Sequence, residues 1–220
     1  MSDRPTAPPQ PTLAILAGGE GARMGEPKAN LLIGGQPILA YLLDRLRWPG
    51  RTLLVTAPGR EHPPACERFD RELVDPTPGL GPLRGVLTVL EHLEPTEIAL
   101  ITTVDMPAIR PEMLDWILQQ FQALPAALGL MTRHPSGADH IIEPFPFALR
   151  AEARSLVADQ LQCGRRSVWS LSKHPEFIVL DAPAHWPAEV WTNLNDPADL
   201  TNFTASLPFA TDNGPRTTDE

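Results

Sequence analysis

Three short, largely apolar runs, each followed by a helical pattern, constrain the fold of this chain more than any other feature. They cover residues 12–17, 52–57 and 97–104. A continuous apolar run of this length is typical of a strand that is buried on both faces. Strands of this kind pair in parallel, and parallel neighbours need a long crossover connection, usually a helix. The 220-residue chain is 42% hydrophobic, which is enough for one domain with a substantial core.

Apolar residues recur at helical spacing between and after these runs. The spacing predicts helices over residues 38–46, 81–93 and 111–124, with Pro37 in the first turn of the first helix. The alternation of strand and helix predicts an α/β fold, a Rossmann-like three-layer α/β/α sandwich with a mostly parallel sheet.

The second half of the chain is less regular. Its patterns predict strands over 127–132, 140–143 and 176–180, a turn at 135–137 and a helix over 151–162. These elements fit an extension of the same sheet, or a small lobe, better than an independent domain. The proline-rich residues 1–11 are expected to form a flexible leader without the apolar segment of a signal peptide. Residues 204–220 are expected to form a disordered tail.

Charge and cysteine content exclude several classes of protein. The net charge of −9 argues against a broad nucleic-acid surface, because binding to a phosphate backbone needs many Lys and Arg contacts. No apolar run approaches the roughly 20 residues that a membrane span needs. Cys66 and Cys163 lack the spacing of a zinc site, and reduced thiols are favoured over a disulfide. We therefore expect a cytoplasmic protein.

A glycine-rich stretch, LAILAGGEGARMGEPK at residues 13–28, leads out of the first predicted strand. Ligands of open α/β sheets bind at the carboxyl ends of the strands. Glycines there let backbone N–H groups approach an anion, and Arg23 and Lys28 would add charge beside phosphate oxygens. The alternative is a glycine-rich turn with two solvated cations. Two familiar phosphate loops are excluded, because neither the P-loop spacing nor G-x-G-x-x-G is present.

The stretch LAGGEGARMGEPK resembles the signature loop of the Rossmann-like nucleotidyltransferases, L-[AG]-[AG]-G-x-[SG]-x-R-M-G-x-x-K. Three further stretches resemble the branch of molybdenum cofactor guanylyltransferases. They are VDPTPGLGPLRG at 74–85, TTVDMP at 102–107 and TNLNDPADL at 192–200. The resemblance therefore extends over residues 12–203, nearly all of the chain that we expect to be ordered.

The resemblance implies a Mg²⁺-dependent transfer of GMP from GTP to molybdopterin or the molybdenum cofactor. Pyrophosphate would be released and the guanine dinucleotide form of the cofactor would be made. It implies one domain over 12–203, with a nucleotide-binding half at about 12–125 and an acceptor-binding half at about 126–203. Cofactor-synthesis proteins and recipient molybdoenzymes would be partners, and nucleic acid and membranes would not.

The resemblance also implies a role for each matching residue. Arg23 and Lys28 would contact the triphosphate, with Lys28 also stabilising charge at the α-phosphorus, and Asp105 would be the metal ligand. Asp75 would bind the nucleoside, and Gly81 would face the base from the second loop. The base and ribose would be lined by Leu16, Ala17, Gly18 and Gly19. Asn193 and Asn195 would lie near the acceptor.

Each of these residues also has an ordinary structural explanation. Asp105 could cap the next helix, Asp75 could start a turn, and Asn193 and Asn195 could satisfy loop backbone. Arg165 and Arg166 could face a phosphorylated acceptor or lie at a solvated helix end. The six histidines lack metal-ligand spacing and are assigned to the surface or core, and four of the tryptophans, Trp116, Trp169, Trp186 and Trp191, to packing.

Several functions remain open on the sequence. A related enzyme could use CTP on molybdopterin or a nucleotide on a sugar phosphate, and a non-catalytic nucleotide-binding protein could keep the loop. The combination of Arg23, Lys28 and Asp105 argues against the non-catalytic alternative. The sequence L-A-G-G at residues 16–19 favours a purine, because the cytidylyl and sugar-phosphate relatives usually have alanine at the position of Gly18.

Overall fold

The computed structural model describes residues 10–19, 21–134 and 141–207. The strands are β1 (Thr12–Leu16), β2 (Leu32–Ile33), β3 (Gln36–Pro37), β4 (Thr52–Thr56), β5 (Arg71–Val74), β6 (Ile98–Thr103), β7 (Gly129–Arg133), β8 (Ile142–Arg150) and β9 (Phe177–Asp181). The α-helices are α1 (Ile38–Leu46), α2 (Pro82–Leu90), α3 (Pro111–Gln122), α4 (Arg154–Gln162) and α5 (Pro197–Ser206).

Seven strands form one sheet in the order β5-β4-β1-β6-β8-β7-β9, and β2 and β3 form a separate hairpin. Within the described residues, β8 is the one strand of this sheet that runs antiparallel to its neighbours. The mostly parallel sheet that the sequence predicts is therefore confirmed.

Strand β1 lies in the interior of the sheet, between β4 and β6, and its five residues are all buried. Ile15 packs in one cluster with Ile38 and Leu42 of α1, whereas Leu16 belongs to another cluster with Leu83 of α2. Because successive strand residues point to opposite faces, the two helices cover opposite sides of the sheet. Each of these apolar side chains stabilises the fold by roughly 1.5–3 kcal/mol through burial.

The elements of the first half lie close to the predicted positions, with shifts at their ends. Pro37 is the last residue of β3 and directly precedes α1, instead of lying in its first turn. Helix α2 ends at Leu90, three residues before the predicted end, and α3 ends at Gln122. No helix of the described chain is long and apolar enough to cross a membrane.

Strand β8 continues to Arg150, well beyond the predicted residues 140–143. Two prolines, Pro144 and Pro146, interrupt the strand pattern of this stretch in the sequence. They fall where the pairing between β7 and β8 shifts register, between Leu130 and Thr132 of β7, so the ladder is already interrupted there. His140 and the predicted turn at 135–137 lie outside the described residues.

The described residues extend slightly beyond the expected domain bounds of 12 and 203. Pro11 is buried, and its carbonyl accepts a hydrogen bond from Trp48 Nε1 at 2.9 Å. Helix α5 continues through Ser206. It begins at a capping box in which the Asp196 carboxylate accepts from the backbone of Ala198 and Asp199. The rest of the predicted leader and tail, residues 1–9 and 208–220, lies outside the described residues.

Candidate active site

A cleft of about 910 Å³ opens at the carboxyl ends of β1, β4, β5 and β6. The connection from β1 leads to β4 on one side, whereas β6 lies on the other side of β1. A strand order that reverses in this way creates a crevice where α/β proteins bind ligands. Eight of the residues singled out in the sequence line the cleft: Leu16, Gly18, Gly19, Lys28, Asp75, Gly81, Asp105 and Asn193.

The glycine-rich loop is folded back on itself at Gly21, which has φ +60°. A Cβ at this position would lie 2.0 Å from the carbonyl oxygen of Glu26, so only glycine fits. The backbone N–H of Met24 closes the turn by donating to the Gly21 carbonyl at 2.7 Å. This turn brings Lys28, at the start of a short 3₁₀ turn, to the cleft.

Gly18 and Gly19 contribute open space and not unusual backbone geometry. Neither has a positive φ, and a Cβ on Gly18 would make ordinary contact with Ala57 at 3.6 Å or more. A Cβ on Gly19 would meet nothing within 4 Å. A side chain at either position is therefore tolerated by the protein alone.

Lys28 joins Asp105 and Asn195 in a polar cluster by hydrogen bonds to both side chains. Lys28 Nζ donates to Asp105 Oδ2 at 2.6 Å and to Asn195 Oδ1 at 3.1 Å. Thr103 Oγ1 donates to the other carboxylate oxygen, Asp105 Oδ1, at 2.6 Å. The carbonyl of Asp105 accepts from the backbone N–H of Leu194 at 2.8 Å, and this bond holds the 192–195 segment against the end of β6.

The helix-cap explanation of Asp105 is wrong. The N-cap of α3 is Arg110, and the carboxylate of Asp105 is bonded to Lys28 and Thr103. The Asp105 side chain is 23% exposed and that of Lys28 is 14% exposed. Both groups can therefore reach a ligand in the cleft.

Asp75 follows β5 and is more than a solvated turn residue. Its backbone N–H donates to the Thr56 carbonyl at 2.9 Å, and its Oδ1 accepts a hydrogen bond from Thr88 Oγ1. The pKa of the Asp75 carboxyl is raised, chiefly because the group is buried. The hydrogen bond from Thr88 and the charge of Arg84 act in the opposite direction and lower the pKa, whereas the charge of Glu91 adds to the rise.

The loop between Asp75 and α2 is held by the segment that follows α4. Gly81 has φ +72°, and a Cβ there would lie 2.9 Å from the Arg166 carbonyl oxygen. Arg166 donates to the Gly79 carbonyl at 3.1 Å, and Arg165 donates to Gln160. In this structure Arg166 therefore supports the wall of the cleft, whereas Arg165 pairs locally.

Three candidates do not line the cleft. Arg23 is exposed on the turn at 22–25. Ala17 is buried and lines a smaller pocket of about 230 Å³. Asn195 is connected to the cleft only indirectly, because its Oδ1 accepts a hydrogen bond from the lining residue Lys28. The roles assigned to these residues stay predictions.

Sequence reasoning missed Arg60, which lines the cleft from the loop after β4 and donates to the Gly19 carbonyl at 2.8 Å. The only signal was a glycine next to a cation directly after a predicted strand, in APGR.

Sequence reasoning also missed a group of possible metal ligands, His62, Cys66 and Glu72, whose ligand atoms lie within 4.8 Å of one another. The histidine and glutamate already pair with each other at 2.5 Å. Burial and the charge of Glu72 raise the pKa of the Cys66 thiol, which disfavours the thiolate that a metal needs.

Comparison with known proteins identifies the family. The sequence matches the MobA-like NTP transferase domain over residues 13–176. The chain belongs to this family. A molybdenum cofactor guanylyltransferase of Rhodopseudomonas palustris is 32% identical over 208 residues, with 88% of this chain and 90% of the relative covered. The enzyme class that the sequence predicts, a nucleotidyltransferase, is thereby confirmed.

Solved structures share the fold of this MobA-like chain. The molybdopterin-guanine dinucleotide biosynthesis protein A of Archaeoglobus fulgidus has a TM-score of 0.74 at 19% identity, with 88% of this chain and 97% of that chain covered. A 2-C-methyl-D-erythritol 4-phosphate cytidylyltransferase of Thermus thermophilus has a TM-score of 0.66 at 18% identity, with 87% and 96% covered. Because a cytidylyltransferase shares the fold, the fold alone does not select the nucleotide.

Proposed function

We propose that this MobA-like chain transfers GMP from GTP to the phosphate of molybdopterin or the molybdenum cofactor. An acceptor phosphate oxygen would bond to the α-phosphorus, and the bond between the α-phosphorus and the bridging oxygen would break. That oxygen would leave with its electron pair as part of pyrophosphate. The observation that carries the proposal is the cluster of Lys28, Asp105 and Asn195 at the edge of a nucleotide-sized cleft.

Lys28 would supply positive charge to the phosphates during transfer. Its ammonium is already held by two oxygen acceptors, so it needs little reorganisation when charge develops at the α-phosphorus. Transfer between two anions depends more on such positioning and charge neutralisation than on a covalent nucleophile. Arg23, exposed on the adjacent turn, would contact the triphosphate from the solvent side.

A magnesium ion fits the donor set of the cleft. Among the described lining residues, two cationic side chains, Lys28 and Arg60, face two carboxylates, Asp75 and Asp105. These lining side chains therefore offer a bound triphosphate no net positive charge, and Arg23 would add one cation from the solvent side. Mg²⁺ binds through one or two carboxylates together with phosphate oxygens, and Asp105 would be its protein ligand. The ion would neutralise charge on the phosphate oxygens.

The nucleoside would lie over Leu16, Gly18 and Gly19, where side chains leave the floor of the cleft open. Asp75 would accept a hydrogen bond from the base, and Gly81 would contribute the opposite wall. Ala17 would support this floor from behind, through its backbone bond to the Val55 carbonyl at 2.7 Å.

The acceptor would enter from the side of Asn193 and Asn195. Asn193 lines the cleft, and its Nδ2 donates to the Trp191 carbonyl at 3.3 Å, which fixes the direction of the amide. The division into a nucleotide-binding half and an acceptor-binding half is part of this proposal, as are cofactor-synthesis proteins and recipient molybdoenzymes as partners.

A panel of ATP, CTP, GTP and UTP tested with molybdopterin and with sugar phosphates, and assayed for pyrophosphate release with Mg²⁺, tests the reaction. We expect release with GTP and molybdopterin, and loss of release in Asp105→Asn, which keeps the shape of the side chain but removes its charge. Release with CTP alone would favour the cytidylyl alternative. Binding of GTP without release on any acceptor would favour a non-catalytic protein and contradict the proposal.

A further inference from the structure

A chain of hydrogen bonds runs along one face of α2 and ends on the Asp75 carboxylate. Arg84 Nη2 donates to Thr88 Oγ1 at 3.2 Å and to Glu91 Oε2 at 2.5 Å. Thr88 Oγ1 in turn donates to Asp75 Oδ1. Arg84, Thr88 and Glu91 are spaced at i, i+4 and i+7, so they lie on the same face of the helix. The chain therefore connects a surface glutamate to the wall of the cleft.

The chemistry of the groups fixes the direction of every bond in this chain. A guanidinium has donors and no acceptor, so Thr88 Oγ1 must accept from Arg84. A hydroxyl has one proton, and in Thr88 that proton is therefore free to point at Asp75 Oδ1. A threonine within a helix otherwise tends to bond to its own i−4 carbonyl. Arg84 thus holds the Thr88 hydroxyl in the direction of the carboxylate.

An arginine at this position carries a cost in stability. The Arg84 side chain is only 11% exposed, and its Nε is buried without a hydrogen-bond partner among the described residues. A buried donor left unsatisfied costs free energy of folding, and a small apolar residue at position 84 would avoid that cost. Against this cost, the arginine supplies the bonds from Nη2 to Thr88 and Glu91.

The surroundings leave the second oxygen of Asp75 available. Oδ1 is occupied by Thr88, whereas Oδ2 lies near Gly85, at 3.7 Å from the position that a Cβ there would take. The same Cβ position is 3.2 Å from Leu16 Cδ2, so apolar β1 lies on that side. Among the described residues, the charged groups that act on Asp75 are Arg84 of α2 and Glu91, the C-cap residue of that helix.

We propose that Arg84 and Thr88 are positioning residues for nucleoside recognition, which hold Asp75 as a carboxylate with Oδ1 occupied and Oδ2 presented to an N–H of the base. This inference rests on the proposed function, in which Asp75 binds the nucleoside. Arg84 and Thr88 act through Asp75 and do not touch the nucleotide. Glu91 holds the guanidinium in place by accepting from the same nitrogen, Nη2, that donates to Thr88.

The consequence is a dependence of nucleotide binding on pH that these residues set. Burial favours the protonated carboxyl of Asp75, and Arg84 and Thr88 oppose that effect. Removal of either residue raises the pKa of Asp75 further, so the carboxylate is lost at a higher pH than in the wild type. Because the acceptor for the base N–H is lost with it, binding weakens first at the acidic end.

Calorimetric titration of GTP between about pH 5 and pH 8 tests the inference on the full chain, with thermal unfolding measured in parallel. Thr88→Val keeps the shape of the side chain and removes the hydroxyl, and Arg84→Ala removes the guanidinium. We expect each to weaken GTP binding roughly 10-fold or more and to move the acidic loss of binding to higher pH. In assays we expect KM to rise while kcat changes little, since the base edge is remote from the transferred phosphate.

Two further variants act as controls. Arg84→Lys keeps the charge but lacks the rigid guanidinium that places Nη2 between Thr88 and Glu91, and we expect it to restore part of the affinity. Arg110→Ala removes an exposed arginine that is paired with Glu112 at 3.8 Å outside the cleft, and we expect wild-type binding.

Two results would overturn the inference, and they are distinguishable. If Thr88→Val and Arg84→Ala lower thermal stability but keep the wild-type affinity and pH profile for GTP, these residues are structural only, and the proposed function stands. If the wild type binds no nucleoside triphosphate at any pH, the proposed function fails and the inference fails with it.

Discussion

Lys28 and Asp105 lie 77 residues apart in the sequence, yet their charged atoms are 2.6 Å apart. The motifs predicted both residues, because a loop lysine and a strand-end aspartate each stand at a carboxyl end of the sheet. Their direct contact, and the bond from Lys28 to Asn195, could not be predicted, because they depend on how the 192–195 segment packs against Asp105.

The first prediction concerns a single residue, Lys28, and its charge. Lys28→Ala should lower kcat roughly 100-fold or more, the effect of losing one preorganised electrostatic donor, with a smaller change in triphosphate affinity. Steady-state kinetics measure both quantities. Lys173→Ala is the matched control, since Lys173 lies over the ring of Trp169 outside the cleft. An unchanged kcat in Lys28→Ala would remove this residue from the chemistry.

The helices and strands that the sequence predicts are those with a simple burial pattern. Strands β1 and β4 are buried at every residue, and α1 and α2 each bury an apolar face. Strand β5 escaped prediction because it is a four-residue edge strand with one fully buried side chain. Helix α5 was not predicted because it buries little apolar surface, although its capping box can be recognised in the sequence NDPAD.

The glycine-rich loop is the element whose shape matters most for the cleft. Gly21→Ala would bring a Cβ to 2.0 Å from the Glu26 carbonyl oxygen, so the turn that delivers Lys28 has to open. We expect kcat/KM for the triphosphate to fall at least roughly 10-fold, while the melting temperature changes little because the loop is largely exposed. Gly34→Ala has a similar positive φ with open space around it and provides the control. Equal kinetics in the two variants would contradict the expected role of the turn.

Across the whole molecule, an acidic chain presents a cleft whose charged lining side chains are balanced. The net charge of −9 disfavours a broad nucleic-acid surface and leaves room for a small anionic ligand. Gly18 favours a purine, but the sequence does not supply the hydrogen bonds to the edge of the base on which the choice among nucleotides depends. The cytidylyltransferase with the same fold illustrates the point.

The most direct test of the account is therefore calorimetric titration of the unmodified protein with GTP, CTP and ATP, in the presence of Mg²⁺. Guanine differs from the other bases at its O6, N1 and N2 edge, and a site built around those bonds strongly rejects a base that lacks them. The account predicts tighter binding of GTP than of CTP or ATP, and a Gly18→Ala variant that loses more affinity for GTP than for CTP. Tighter binding of CTP than of GTP to the unmodified protein would contradict the guanylyl assignment.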